Sequence, residues 1–262
     1  MFYALDESDF RVHISRANSN KKYFCPACKS PVLLKKGKIK AHHFCHKSNG
    51  FCDPWQKGKM SQWHLDMQSM FPDECREIIV HSEDQSEFHI ADVIVQSNTN
   101  NYVFEFQHSP ISVGAFLERS LFYIELGYSL IWIFDFQDTE KPKKFYYEEY
   151  DSFCQYKRIL WPGRDRISLF NSRTVLTLLT NTSINQGKLS IWFHINAGPG
   201  SHEIFEYANG YDGDIWYCNE PWLISEYFVK LHIDSLKSIR DFHGKFYTNK
   251  EFKKYISKFQ NK

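Results

Sequence analysis

The chain has 262 residues, 42% of them hydrophobic and 17% aromatic, with a formal net charge of +1. That length suits one large domain or one domain with small attachments, and the near-neutral balance excludes a globally basic nucleic-acid binder. No apolar run approaches the ~20 residues needed to span a bilayer, and "MFYALDESDF" lacks the basic and apolar regions of a signal peptide, so a cytoplasmic protein with no membrane segment is expected.

The average hides an asymmetry. Lys21 to Met60 holds ten Lys and one acid, Asp53, a net of +9, whereas Ser61 to Tyr150 holds sixteen acids and five Lys or Arg, a net of −11. Residues 1–55 therefore read as a basic module, 56–140 as an acidic core and 141–262 as a C-terminal accessory region. The seven cysteines are odd in number and cluster early, which suits a metal site in a reducing compartment better than a disulfide framework.

In the first module, "CPAC" over Cys25–Cys28 is a C-x-x-C knuckle, and His43 and His46 follow as an H-x-x-H pair. Tetrahedral zinc needs four ligands, and Cys25, Cys28, His43 and His46 form the economical set. Cys45 and Cys52 compete, Cys52 seriously. The surrounding lysines point to phosphate and so to nucleic acid.

The core opens with "SQWHLDMQSMF" (Ser61–Phe71), where Trp63, Met67 and Met70 recur at helical spacing and Pro72 follows the helix. "REIIVHS" and "FHIADVIV" read as strands, "NTNN" as a turn and "NYVFEFQ" as the next strand. "SPISVGAFLERSLFYIELG" begins with a Ser-Pro signal and ends at Gly127, as a helix does. "YSLIWIFDF" is a fully apolar, buried-type strand. Helix, three strands, helix, strand predicts an antiparallel meander followed by a crossover, hence a mixed α/β sheet flanked by helices.

Asp92, Glu105 and Gln107 stand inside this hairpin, where an unpaired buried carboxylate is costly. With the turn centred on Thr99–Asn100, Ile94 faces Glu105 and Asp92 faces Gln107. Side chains alternate with period two, so Asp92, Ile94, Glu105 and Gln107 share one face, and Val93, Val95, Phe104 and Phe106 form the opposite, core face. Two close carboxylates repel unless they share a proton or a cation, and hard oxygen donors suit Mg²⁺ or Mn²⁺. A solvated face that merely tolerates acids is the alternative on spacing alone. His89, three residues before Asp92, falls on the other face and reads as structural.

The stretch "HIADV…VFEFQHSPIS…FLERSLFYIELGYSLIWIFD", with the upstream "WHLDMQ" helix and "FCPAC…HHFCH", resembles the competence protein CoiA-like family, itself similar to PD-(D/E)XK nucleases. The resemblance covers roughly residues 20 to 140. It implies a PD-(D/E)XK restriction-endonuclease-like mixed sheet with an N-terminal zinc ribbon, and a metal-dependent nuclease that hydrolyses phosphodiester bonds, DNA being favoured by the family, in the handling of foreign or incoming DNA. Asp92 and Glu105 match the metal-binding acids, and Gln107 stands where a catalytic Lys is common. His64 on the first helix is a candidate ligand, phosphate contact or base, or else a structural histidine. The resemblance places Arg119 and Tyr123 beside the site as substrate-binding residues; Arg119 would clamp a phosphate or pair with a surface acid such as Glu118. Gln107 carries no charge, which keeps open the alternative of a catalytically inactive nucleic-acid-binding subunit of a DNA-processing or defence complex.

Beyond residue 141, "KLSIWFHINAGPGSHEIF" suggests strand, "YKRILWPGRDR" mixes Arg, Lys, Tyr and Trp as single-strand binders do, and "LKSIRDFHGKFYTNKEFKKYISKF" reads as one or two basic amphipathic helices.

Overall fold

A computed structural model of the protein describes residues 1–38, 41–47, 52–56, 61–97, 100–109, 111–135, 173–196, 226–231 and 244–260. Among them two sheets form. The first has five strands: β1 (Tyr3–Leu5), β2 (Arg11–His13), β3 (Tyr23–Phe24), β4 (Pro31–Lys35) and β5 (His43–His46), in the order β2-β1-β3-β4-β5.

The second sheet carries the core. Its strands are β6 (Arg76–His81), β7 (Phe88–Gln96), β8 (Asn101–Gln107), β9 (Ser129–Asp135), β10 (Leu189–Asn196), β11 (Glu226–Leu231) and β12 (Gly244–Thr248). Their spatial order is their sequence order reversed. The meander β6-β7-β8 is antiparallel, whereas β8, β9 and β10 run parallel. The expected order of helix, three strands, helix and strand is present, with helix α1 at Gln62–Ser69 and α2 at Val113–Glu125. Farther on lie α3 (Arg173–Thr180), α4 (Thr182–Asn185) and α5 (Asn249–Gln260).

Serines set both core helices. Ser61 accepts from His64 N and starts α1. Ser112, not the expected Ser109-Pro110, starts α2: its backbone is extended and its hydroxyl accepts from Ala115 N, satisfying an otherwise orphan donor. Gly127 at φ 87 ends α2 with a conformation that favours glycine. Toward the C-terminus, among the described residues of the expected basic helices, Asn249–Gln260 is helical and Gly244–Thr248 is strand; residues 236–243 lie outside the described residues. "YKRILWPGRDR" lies outside the described residues.

Both faces of the second sheet are covered. Ile94, Val103, Leu130, Trp132 and Phe134 pack with Phe116 and Tyr123 of α2 and with Val175 and Leu178 of α3. Val93, Val95, Phe104, Phe106, Ile131 and Ile133 pack with Trp63 and Met67 of α1 and with Phe252 and Ile256 of α5. The alternative of a solvated face that merely tolerates the acids is therefore set aside, since both faces of the sheet are packed by helices. The parallel strands demand cover on both sides; Glu105 lies under α2, and Asp92 meets His64 of α1.

The first sheet is anchored to the second by charge. Glu77, held at φ 46 within β6, accepts from Phe2 N at 2.8 Å and Tyr3 N at 3.1 Å. Asp53 is fully buried and accepts from Trp55 N (2.9 Å) and Ile90 N (2.7 Å), with His89 Nδ1 at 3.0 Å. His89 stacks on Trp55 and meets Phe122 of α2 edge-on, so it lies on the α2 side of the sheet, whereas the Asp92 carboxylate meets His64 of α1. Alternation fails in β7 because Ala91 and Ile94, three apart, both reach the α2-side core, with Asp92 between them.

Candidate active site and metal centre

The hairpin register differs from expectation by two residues. Gln96 pairs with Asn101 and Val93 with Phe104, so the loop spans Ser97–Asn100. Ser97 closes it, its backbone N–H and its hydroxyl both donating to Asn100 O at 3.0 and 2.8 Å. Continuing that register sets Asp92 level with Glu105 rather than Gln107. A shift of two keeps every β8 residue on its face, so Glu105 and Gln107 remain together.

The regular ladder stops at Val93 and Phe104. There the Asp92 side chain takes over, with Oδ2 accepting from Phe106 N at 2.8 Å and Oδ1 standing 3.1 Å from His64 Nε2. Asp92 and His64 are each 1% exposed. α1 thus delivers His64 directly to the first acid, because Ser61 starts the helix three residues before it.

The second acid is held by α2. Arg119 Nη2 donates to Glu105 Oε2, and Tyr123 Oη donates to Oε1 at 3.0 Å. Arg119 and Tyr123 are one helical turn apart and reach the same carboxylate. Arg119 Nη1 also lies 3.4 Å from Gln107 Oε1, and Gln107 Nε2 donates to Ser109 O. The guanidinium sits over the Trp132 ring at 4.6 Å, a cation–π contact inside the core. Burial pushes the Arg119 pKa down, opposed chiefly by Asp92, and burial pushes the Tyr123 hydroxyl well up, opposed by Arg119. Arg119 and Tyr123, expected at the substrate, are buried against Glu105.

A second constellation escaped the sequence reading. At the ends of β8, β9 and β10, His108 Nδ1 bonds Asp135 Oδ2, and Trp63 Nε1 donates to His194 Nδ1 at 2.8 Å. Asp135 is 0% and His194 1% exposed, and they are register partners. The available signal was an acid closing the otherwise apolar "SLIWIFD" strand.

In the first sheet, Cys25, Cys28, His46 and Cys52 bring one donor atom each within 4.8 Å of one another, a set that suits tetrahedral zinc. Cys28 Sγ is 3.2 Å from His46 Nε2, and Cys25 Sγ is 3.6 Å from Cys52 Sγ. Hydrogen bonding from Cys52 draws the Cys25 thiol down to about 5 against the opposing effect of burial, and its partner Cys52 is pushed up. His43 is corrected out of the set and Cys52 takes its place. β5 is extended from His43 to His46, so residues three apart face opposite ways, whereas a knuckle turn would have brought them together. His43 Nδ1 meets Ala41 O at 2.8 Å instead.

A family model for the N-terminal domain of competence protein CoiA matches residues 7–54, and one for the CoiA nuclease-like domain matches residues 57–194. No curated protein and no solved structure matches the chain. The first match takes in β2 to β5 with the cysteine cluster, and the second takes in α1 to β10 with Asp92, Glu105 and the helices that hold them. The chain belongs to the competence protein CoiA family and carries its nuclease-like domain.

Proposed function

We propose that the protein is a metal-dependent nuclease that hydrolyses phosphodiester bonds in DNA, in the handling of foreign or incoming DNA. The observation that carries this reading is the pair of buried acids, Asp92 and Glu105, each one residue beyond the last β7–β8 pair, Val93 with Phe104, inside a nuclease-like domain. Carboxylate oxygens are the donors Mg²⁺ and Mn²⁺ take, so the residues fit such a cation, with Asp92 and Glu105 holding it. Bound there, the cation supplies charge stabilisation at the phosphoryl group and eases deprotonation of the attacking water.

The chain's own residues prepare that site. His64 and the Phe106 amide fix the Asp92 carboxylate, and Arg119 and Tyr123 fix that of Glu105. Gln107 brings no charge where a lysine is common. Arg119, arriving from α2 and touching both Glu105 and Gln107, brings the positive charge to the same place. Its role is to position and offset Glu105 rather than to clamp substrate on an open surface. Cys25, Cys28, His46 and Cys52 would hold a zinc ion that would order the first sheet, and the lysines of this module would contribute salt-sensitive contacts to the DNA backbone.

The test is incubation of purified protein with single- and double-stranded DNA and RNA, with and without Mg²⁺ or Mn²⁺. Metal-dependent cleavage that disappears in Asp92→Asn is expected. Binding without cleavage on every substrate transfers the role to a catalytically inactive nucleic-acid-binding subunit.

A further inference from the structure

His108, Asp135, His194 and Trp63 have no part in the reading above, yet they gather at one edge of the sheet. β8, β9 and β10 run parallel, and ligands of open α/β sheets bind beyond the carboxyl ends of such strands. Gln107 pairs with Phe134 at the end of the β8–β9 ladder, so His108 stands level with Asp135. It follows Gln107 directly and lies three residues from Glu105, about 10 Å along an extended strand.

We propose that His108, oriented by Asp135, is the general acid of the phosphodiester cleavage, protonating the departing oxygen. This rests on the nuclease reading. The Asp135 carboxylate is wholly buried and takes Nδ1, which fixes the imidazole tautomer and turns Nε2 outward. The His108 side chain is 26% exposed, and among the described residues Nε2 has no partner. Trp63 backs the ring at 5.9 Å and is itself tied to His194 by its indole N–H. The same indole lies 6.4 Å from His64, the residue that holds Asp92, so the dyad and the acid pair share one wall of α1. A histidine serving only to cap a buried acid has no need of an outward nitrogen.

In the step, the water oxygen bonds to phosphorus as the bond from phosphorus to the leaving oxygen breaks. The electron pair of that bond stays on the leaving oxygen, which takes the Nε2 proton of the His108 imidazolium and leaves the neutral ring with its Nδ1–H on Asp135. The water's proton passes to solvent, and solvent reprotonates the imidazole. Asp135 is a positioning residue that acts through His108.

The experiment compares wild type, His108→Ala, His108→Gln and Asp135→Asn on two oligonucleotides at saturating Mg²⁺. One is ordinary DNA. The other carries sulfur in place of the bridging leaving oxygen, 3′ or 5′ as the products dictate, because a thiolate departs without a proton. On ordinary DNA both His108 variants should lose on the order of 10²-fold or more in kcat, the usual worth of general acid catalysis. On the sulfur substrate the loss should shrink to under about tenfold, and Asp135→Asn should follow the same pattern more weakly. Nitrogen-15 NMR of the metal-free protein, followed from the imidazolium to the neutral ring, should show Nε2 as the nitrogen that loses its proton, leaving the Nδ1–H tautomer, a preference lost in Asp135→Asn. Equal losses on both substrates, unchanged cleavage by folded His108 variants, or the Nε2–H tautomer overturns the proposal alone. Wild type inactive on both substrates overturns the nuclease reading and this proposal with it.

Discussion

Removing Glu105 should cost stability before it costs chemistry. The carboxylate is 0% exposed and accepts from Arg119 and Tyr123, while Arg119 is 4% exposed and its Nε has no hydrogen-bond partner among the described residues. Glu105→Ala leaves a guanidinium in the core supported mainly by the Trp132 face and by the field of Asp92. Breaking one side of a buried pair costs about 3–5 kcal/mol, against a total stability of about 5–15 kcal/mol. Arg119→Met should cost a similar amount by removing the cation that offsets the buried Glu105 carboxylate. Glu105→Gln keeps the shape and an acceptor for Tyr123, so it should cost about 1–3 kcal/mol. Combined with Arg119→Met, it should cost clearly less than the sum of the two, since the residues are in contact. Urea unfolding followed by the fluorescence of the seven tryptophans reads all four quantities. Single losses below about 1 kcal/mol, or strict additivity, would refute the reasoning. Glu105→Gln is accordingly the better variant for kinetic work, because its folded fraction stays high enough to measure.

Four other outcomes are expected. Protein purified without added zinc should carry about one equivalent of it; Cys52→Ser should lose most of that metal and His43→Ala little, and the reverse order would restore His43 as a ligand. Gln107→Ala should slow cleavage by roughly 10²-fold at saturating metal, the usual cost of one positioned hydrogen-bonding group; an unchanged rate would make Gln107 a bystander. Asp53→Ala removes the acceptor of the Trp55, His89 and Ile90 contacts and should lower stability by about 3–5 kcal/mol, seen as a drop in Tm, and a negligible drop would refute the anchoring role. Burial, opposed by Arg76, pushes the Tyr3 hydroxyl from 10.0 up to about 12, so its contribution is intact below pH 10.0 and is lost as pH rises to about 12. Tyr123 shifts in the same direction. Stability should therefore fall across that window, and Tyr3→Phe should make the fall shallower; an identical slope in the variant would count against it.

Local pattern was enough for the order of the core elements, since the apolar periods of α1, α2 and the four strands between Arg76 and Asp135 need no distant partner to be recognised. It was also enough for the faces of β8. A hairpin can slip by two residues without moving a side chain to the other face, so the grouping of Glu105 with Gln107 survived an error in register. The knuckle at Cys25–Cys28 was legible for the same reason, as its ligands are set by one short turn. What the chain could not reveal locally was decided by contacts far apart in sequence. The choice of Cys52 over His43 depends on β5 being extended when paired with β4, which carries His46 to the thiols and His43 away from them. Arg119 reaches Glu105 only because the crossover from β8 to β9 lays α2 over the face that holds Glu105. His108 meets Asp135 only because parallel pairing aligns the ends of β8 and β9, and Trp63 meets His194 across 131 residues of chain. Such meetings follow from which strands become neighbours. That is settled by the free energy of burying both faces of the whole sheet at once, a quantity no single segment contains.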